Sequence, residues 1–463
     1  MKKKNVLFMS VALLLCSSLV LLAGCSREAG GNLSDKTTIS ISGWPPNTSV
    51  DELAAYELMH DTMNQKHPDI EIVRDRWTYD IRTFLPKANS NQLPTLYSTW
   101  FTEVNKIISA DYAADLTEHM KEYGYMDAMN PEVLELVTKD GKIYGIPYDG
   151  YAQGLSANKN LFREAGLMRE DGTVAFPSTY QELAETAKII KEKTGKAGFG
   201  IPTMGNYGGW YFMNIAWSFG TEFMREENGK WISTFNTPEC IAALQYVKDL
   251  QWKYNVLPEN AFADNAELDK LFATDQLAMT FTVPPADGLI RDYEMNLDVL
   301  SLGRMPEGPA GRYCQMGGNV LMMAPNSTAE QIDAAFKWLE VRGITPKVTD
   351  EIKTMWENDT LARKEEGLFV LSEIPFKIWT NGPRMDAEMQ IKGKYTNSNP
   401  LDFKEYYDFE DVIIRPEEPM ACQELYSILD ACIQAVITDE NSDVAAIVAK
   451  AASDFQLNHL DKL

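Results

Sequence analysis

Thr37-Thr38-Ile39-Ser40-Ile41-Ser42-Gly43-Trp44 alternates β-branched with small polar residues and runs into a loop rich in Pro and Asn, the pattern of a β-strand. Helical spacing follows in Leu53, Tyr56, Met59 and Met63 and stops at His67-Pro68, where the proline disfavours helix in the residue before it. Ile70-Glu71-Ile72-Val73-Arg74 is a second strand. Strand, helix, strand at this spacing is a βαβ unit, and the alternation continues at Thr95 to Thr99 and in the helical stretch Glu103 to Ala110. The first domain is therefore α/β.

Gly141 to Pro147 (GKIYGIP) interrupts the alternation, and a long helix begins only at Thr179. A domain crossing is expected there. From Thr179 to Lys193, Leu183, Ala187 and Ile190 mark one helix face, with Ser178 as the expected N-cap and Gly195 beyond the end. Cys240 to Tyr254, Thr328 to Leu339 and Glu424 to Ile437 repeat the design. Gly303 to Gly318 (GRMPEGPAGRYCQMGG), which holds five glycines and two prolines, is the candidate second crossing. With 463 residues, the chain is long enough for two or three domains with sizeable cores.

The N-terminus bears on compartment. Lys2, Lys3 and Lys4 precede an apolar run from Val6 to Leu22, and Leu22-Ala23-Gly24-Cys25 follows. Residues 1–24 have the build of an export signal. The alternative, an uncleaved membrane anchor, is opposed by the short run and by Ser10, Ser17 and Ser18 within it. The four-residue end resembles the lipobox of bacterial lipoproteins. That resemblance implies cleavage before Cys25, acylation of its thiol, and attachment to the extracytoplasmic face of the cell membrane of a single-membrane bacterium. Residues 25–36, polar and containing Gly30-Gly31, read as a tether. Of the six cysteines, Cys240, Cys314, Cys422 and Cys432 then remain. Their wide, irregular spacing is no disulfide framework, and they read as buried free thiols. A formal charge of -24 repels polyanions, which argues against nucleic-acid partners.

Asp140 to Pro147 (DGKIYGIP), Asn158-Lys159-Asn160-Leu161-Phe162 with Ala165-Gly166-Leu167, Phe176 to Leu183 (FPSTYQEL), Phe272 to Met279 (FATDQLAM), Leu302 to Pro309 (LGRMPEGP) and Met323 to Ser327 (MAPNS) stand in this order along the chain. Segment by segment and in order, they resemble the extracellular solute-binding proteins of carbohydrate ABC transporters, of the maltodextrin-binding type, the first being similar to the signature before the crossing between lobes and the second to the segment after it. Departures are Ala157 for the usual Tyr, Asp275 for the usual Gly, and Pro94-Thr95-Leu96 for the usual strand start. The resemblance implies two α/β lobes of the type II periplasmic-binding-protein kind, with hinge crossings between them: 37–147 plus 314–345, and 148–313 plus 346–463. It further implies open parallel sheets, a ligand in the cleft between lobes that close around it, and delivery to permease subunits in the membrane.

A sugar site needs aromatic planes for the CH faces of the rings and planar hydrogen-bonding groups for the hydroxyls. Trp44, Trp77, Tyr79 and Trp100 follow strands 1 to 3, and Trp210 and Tyr211 lie in what reads as a mobile Gly-rich loop. For each, an ordinary core or surface aromatic is the competing reading. Tyr148-Asp149-Gly150-Tyr151 follows the crossing signature, so Asp149 and Tyr151 are candidates, with an ordinary turn Asp as the alternative for Asp149. Gly317 and Gly318 either admit a ligand to the backbone or serve the hinge. Phe281 and Trp379 complete the set, the latter from the family's use of an aromatic in its C-terminal helices.

Four scattered histidines, His60, His67, His119 and His459, make no metal-ligand spacing, and no GxSxG or Walker-type loop is present. The expected function is capture of a mono- or oligosaccharide for an importer, by a monomer without catalysis, cofactor or metal. The alternatives are import of a peptide or polyamine, and a surface adhesin or glycosidase.

Overall fold

Alternation in the first strand becomes burial: in β1 (Thr37–Ile41), Ile39 and Ile41 are buried, and in β2 (Ile70–Arg74) so are Ile70 and Ile72. The computed structural model describes residues 36–371, 373 and 376–463. The export signal, Cys25 and all of the tether except Lys36 lie outside the described residues. Between the two strands runs α1 (Val50–Lys66), with Asp51 and Glu52 in its first turn, where acidic side chains favour the positive helix end. Its Met63 is fully buried, while Leu53, Tyr56 and Met59 pack partly buried against the same core. The next unit is α2 (Ile81–Asn89), β3 (Leu96–Trp100) and α3 (Phe101–Ser109).

β1 pairs in parallel with both β2 and β3. Chain reversal then begins. β4 (Gly145–Ala152) is followed directly by β5 (Gly154–Asn158), which joins a different sheet. That three-stranded sheet is antiparallel, with β5 between β6 (Met279–Thr282) and β7 (Leu300–Gly303). The long β8 (Arg312–Met323) lies antiparallel to both β3 and β4 and parallel to β9 (Val412–Pro416). Open parallel sheets were expected from the resemblance. Among the described strands only β1 to β3 and the β8–β9 pair run parallel, because β8 returns through the first sheet in the opposite direction.

Helices cover the sheets: α4 (Tyr180–Thr194), α5 (Tyr207–Phe219), α6 (Pro238–Trp252), α7 (Ala329–Val341), α8 (Asp350–Glu365), α9 (Pro383–Tyr395) and α10 (Cys422–Thr438). The cap of α4 is Thr179, not Ser178. Thr179 has the extended backbone a cap requires, and its hydroxyl accepts from Glu182 N at 3.1 Å. Gly195, with φ of +72°, ends that helix as expected. Cys240, Cys314, Cys422 and Cys432 are buried free thiols. Thr37–Leu463 form one compact unit, and among the described residues no helix is long and apolar enough to cross a membrane.

Candidate functional site

The sharpest departure from the sequence reading builds one wall of the site. Gly208 and Gly209 belong to the first turn of α5, which therefore replaces the mobile loop expected around Trp210 and Tyr211. A Cβ on Gly209 would stand 2.3 Å from the Tyr426 carbonyl oxygen, and one on Gly208 would stand 2.6 Å from Asp430 Oδ1. These glycines let α5 press against α10. The amides of Asn206 and Gly209 donate to the two oxygens of Asp430, each at 2.7 Å, so a buried carboxylate on α10 holds the N-terminus of α5.

Trp210 is fixed at the start of this helix. Its indole N–H donates to Glu417 Oε1 at 3.1 Å, and the Tyr426 hydroxyl donates to the same oxygen at 2.9 Å. Tyr426 Oη in turn accepts from Gln315 Nε2 at 2.7 Å, Gln315 N–H donates to Asn214 Oδ1 at 2.7 Å, and Asn214 Nδ2 donates to Gln153 Oε1 at 2.5 Å. The chain of bonds ties β8 and the β4–β5 junction to the wall that carries Trp210. Burial pushes the Glu417 carboxyl up to about 7, with the negative charge of Glu103 adding to the shift.

Glu103, fully buried in α3, accepts from the Tyr79 hydroxyl at 2.5 Å and lies 3.8 Å from Lys106 Nζ. Burial raises its pKa. Lys106 also reaches Glu424 on α10 at 3.5 Å, and Gln423 Nε2 meets the Thr102 hydroxyl at 3.4 Å. Thus α3 and the start of α10 touch through polar side chains. Tyr79 and Trp100 meet edge to face at 5.4 Å beside this contact, with Trp100 40% exposed.

Next to β4 opens a cavity of about 400 Å³. Tyr148, Asp149 and Tyr151 of β4, Pro284 and Pro285, Trp356 and Thr360 of α8, Trp379, and Arg384 and Glu388 of α9 are among its lining residues. Asp149 accepts from Asn319 Nδ2 at 3.0 Å across the β4–β8 pair. Tyr151 stands edge-on to Trp210 at 5.9 Å, which links this cavity to a second of about 220 Å³ lined by Tyr207, Trp210, Tyr211 and Asp269. Burial, with the charges of Asp292 and Asp264, raises the Asp269 carboxyl to about 6. Aromatic faces and carboxylates line both volumes, and guanidinium groups line the larger, a combination that suits a polar organic solute with apolar faces.

The candidates named from sequence fall into groups. Asp149, Tyr151 and Trp379 line the first cavity and Trp210 and Tyr211 the second, while Tyr79 and Trp100 form the neighbouring aromatic pair. Trp379 lies in the segment between α8 and α9, bridged to Met129, rather than in a C-terminal helix. Trp77 packs edge-on against Tyr97 and lines neither cavity. Four residues have packing roles instead. Trp44 is 3% exposed and stacks on Trp338 at 6.0 Å, because β1 delivers it beneath α1 and α7. Phe281 is buried against Phe199 and Tyr211. A Cβ on Gly317 would meet the Tyr151 hydroxyl oxygen at 2.3 Å, and one on Gly318 would meet the Asp149 carbonyl oxygen at 2.3 Å, so these glycines make room for β4 and not for a ligand. Trp356, Arg384, Glu103 and Glu417 escaped the sequence reading. Only tertiary folding brings them together, and no spacing marks them. Among the described residues no group of three or more His, Cys, Asp or Glu side chains could hold a metal ion.

Comparison with known proteins follows the same line. A binding protein of Brucella abortus is 27% identical over 184 residues, 40% of this chain and 41% of that protein. The chain thus matches about two fifths of the length of its curated Brucella relatives. Lipoprotein LipO of Bacillus subtilis is 21% identical over 96% of this chain and 91% of its own. Among solved structures, maltose-bound T. maritima MalE3 aligns with a TM-score of 0.66 and 20% identity, covering 91% of this chain and 99% of that one. This chain has the same two-lobe α/β fold. Residues 48–341, well over half of the sequence, match the family described as bacterial extracellular solute-binding protein, and the chain belongs to that family.

Proposed function

We propose that this protein is the lipid-anchored, monomeric binding component of an ABC importer, which captures a mono- or oligosaccharide and presents it to permease subunits in the membrane. Its lobes are 37–147 plus 314–345 and 148–313 plus 346–463, with β4 and β8 as the crossings. Ligand enters the cleft beside Tyr151, and hinge closure signals the loaded state. The observation that carries the reading is the wall itself. Tyr151, Trp210 and Trp379 supply ring faces, while Asp149, Glu388 and Arg384 supply planar hydrogen-bonding groups, on two cavities whose walls meet at the Tyr151–Trp210 contact. The names of LipO and of maltose-bound MalE3 support the lipoprotein and saccharide parts of the reading respectively.

Thermal denaturation of the full chain in detergent against saccharides, peptides and polyamines tests it. A saccharide at 100 times its Kd is expected to add about 2.7 kcal/mol of stability. A shift with peptides or polyamines alone would discard the sugar, and hydrolysis of a reporter glycoside would replace binding with catalysis. Cys25→Ala is expected to abolish fatty-acid labelling, and normal labelling of that variant would sink the lipid anchor.

A further inference from the structure

Arg384 is the side chain in the larger cavity whose bonding is left incomplete. Its guanidinium carbon lies over two indoles, 4.4 Å from the Trp356 ring centroid and 4.3 Å from that of Trp379. The side chain is 12% exposed, and its Nε and Nη1 are shut off from solvent without a hydrogen-bond partner among the described residues. Glu388 approaches Nη2 only to 3.8 Å and is engaged by Lys392 at 2.8 Å. Burial accordingly lowers the Arg384 pKa to about 10. The other lining guanidinium, Arg363, is satisfied: it holds Asp287 at 2.9 and 2.8 Å and gives a further bond to the Phe369 carbonyl at 3.1 Å.

A buried guanidinium with unspent donors is costly, and an anionic acceptor delivered from the cavity would offset that cost. We propose that Arg384, on ligand entry, turns its unspent N–H groups into the cavity it lines and reads a carboxylate on the captured sugar, so that the preferred ligand is a uronide, an acidic saccharide. The inference rests on the saccharide reading above. With two indoles packed against the guanidinium, the partner still lacking is an acceptor for its N–H groups, and a carboxylate is the planar group that suits a guanidinium. A phosphate dianion suits the place less well. Asp149, Asp359, Glu373 and Glu388 also line the cavity and would repel the second charge. Those carboxylates instead accept from sugar hydroxyls, and Trp379 and Tyr151 lie where ring faces can rest.

The test titrates the full chain in detergent with digalacturonate, with its carboxyl-reduced neutral counterpart, and with galactose 6-phosphate, by calorimetry and tryptophan fluorescence. The wild type is expected to prefer the uronide over the neutral disaccharide by roughly 10- to 100-fold. Arg384→Gln is expected to bind the two about equally, and Arg384→Lys to keep part of the preference, because it retains the charge and loses the fork. Thermal midpoints show that the variants are folded. Preference unchanged in Arg384→Gln would overturn the assignment, as would tighter binding of the phosphate sugar. Equal affinity of the wild type for both disaccharides would overturn the uronide inference and leave the saccharide reading in place. Silence toward every saccharide, with binding of a peptide or polyamine, would overturn both.

Discussion

Trp210 donates its indole hydrogen to Glu417 at 3.1 Å, and Trp217, two helical turns along α5, makes the matching bond to the next residue, Glu418, at 3.2 Å. Two consecutive acids thus anchor two tryptophans a helical repeat apart on α5. Both carboxyls are pushed up to about 7 by burial. A carboxyl whose folded pKa lies above its ordinary value favours folding while protonated. Its contribution is complete below about 4.5 and is lost as pH rises through about 7. Glu418 has a 3% exposed side chain, so the shift bears on stability with little screening. Glu418→Gln is expected to remove on the order of 2 kcal/mol of the stability loss between pH 4.5 and 7.5. Urea midpoints at the two pH values check this, and a slope equal to that of the wild type would refute it.

Much of the framework is legible in the chain because its signals are local. Ile39, Ile41, Ile70 and Ile72 alternate, and the helix between them carries its own spacing, so the opening βαβ unit needs no tertiary information. The start of α5 is the contrary case. Tyr207-Gly208-Gly209-Trp210 reads as loop by propensity, and it is helix because the glycines admit the backbone of α10 and Asp430 holds the first-turn amides that have no partner within the helix. Arg384 and Trp356 carry no motif, and they become a site only when α8 and α9 pack together. Trp44 shows the remaining limit: position at a strand end says where a residue emerges, not what covers it.

Trp44 and Trp210 are therefore expected to respond in opposite ways. Trp44→Ala removes a buried ring packed on Trp338 and Tyr56 and is expected to cost about 3–5 kcal/mol of stability, with saccharide affinity of the folded protein intact. Trp210→Ala, on the cavity wall, is expected to weaken saccharide binding more than about tenfold. Denaturant midpoints set beside binding isotherms separate the two, and a binding loss in Trp44→Ala without loss of stability would return that residue to the site.

Gly317 makes the position of Tyr151 testable. A methyl group there would stand 2.3 Å from the tyrosine oxygen and 2.6 Å from its Cζ, so the ring has to move off β8 and its contact with Trp210 has to change. Gly317→Ala is expected to cost about 1–3 kcal/mol from overpacking and to weaken binding in the same variant. Gly172→Ala, where nothing lies within 4 Å of the added carbon but φ is +81°, is the control for backbone strain alone. It is expected to lower stability without touching affinity.

A buried ion pair beneath the three-stranded sheet separates charge from packing. Lys159 Nζ reaches Asp402 Oδ2 at 2.7 Å, with side chains 10% and 4% exposed, and Asp402 Oδ1 has no partner among the described residues. Removing one member strands the other in a poorly solvated place, so Asp402→Ala is expected to cost about 3–5 kcal/mol. The double change Lys159→Met with Asp402→Leu leaves no charge behind and is expected to recover most of that loss, because two ions in so dry a setting gain little more from each other than they lose in leaving water. Equilibrium denaturation of wild type, both single variants and the double variant closes the cycle. A double variant as unstable as the worse single one would show that the pair fixes the packing of this segment, and that its geometry rather than its charge is what the fold requires.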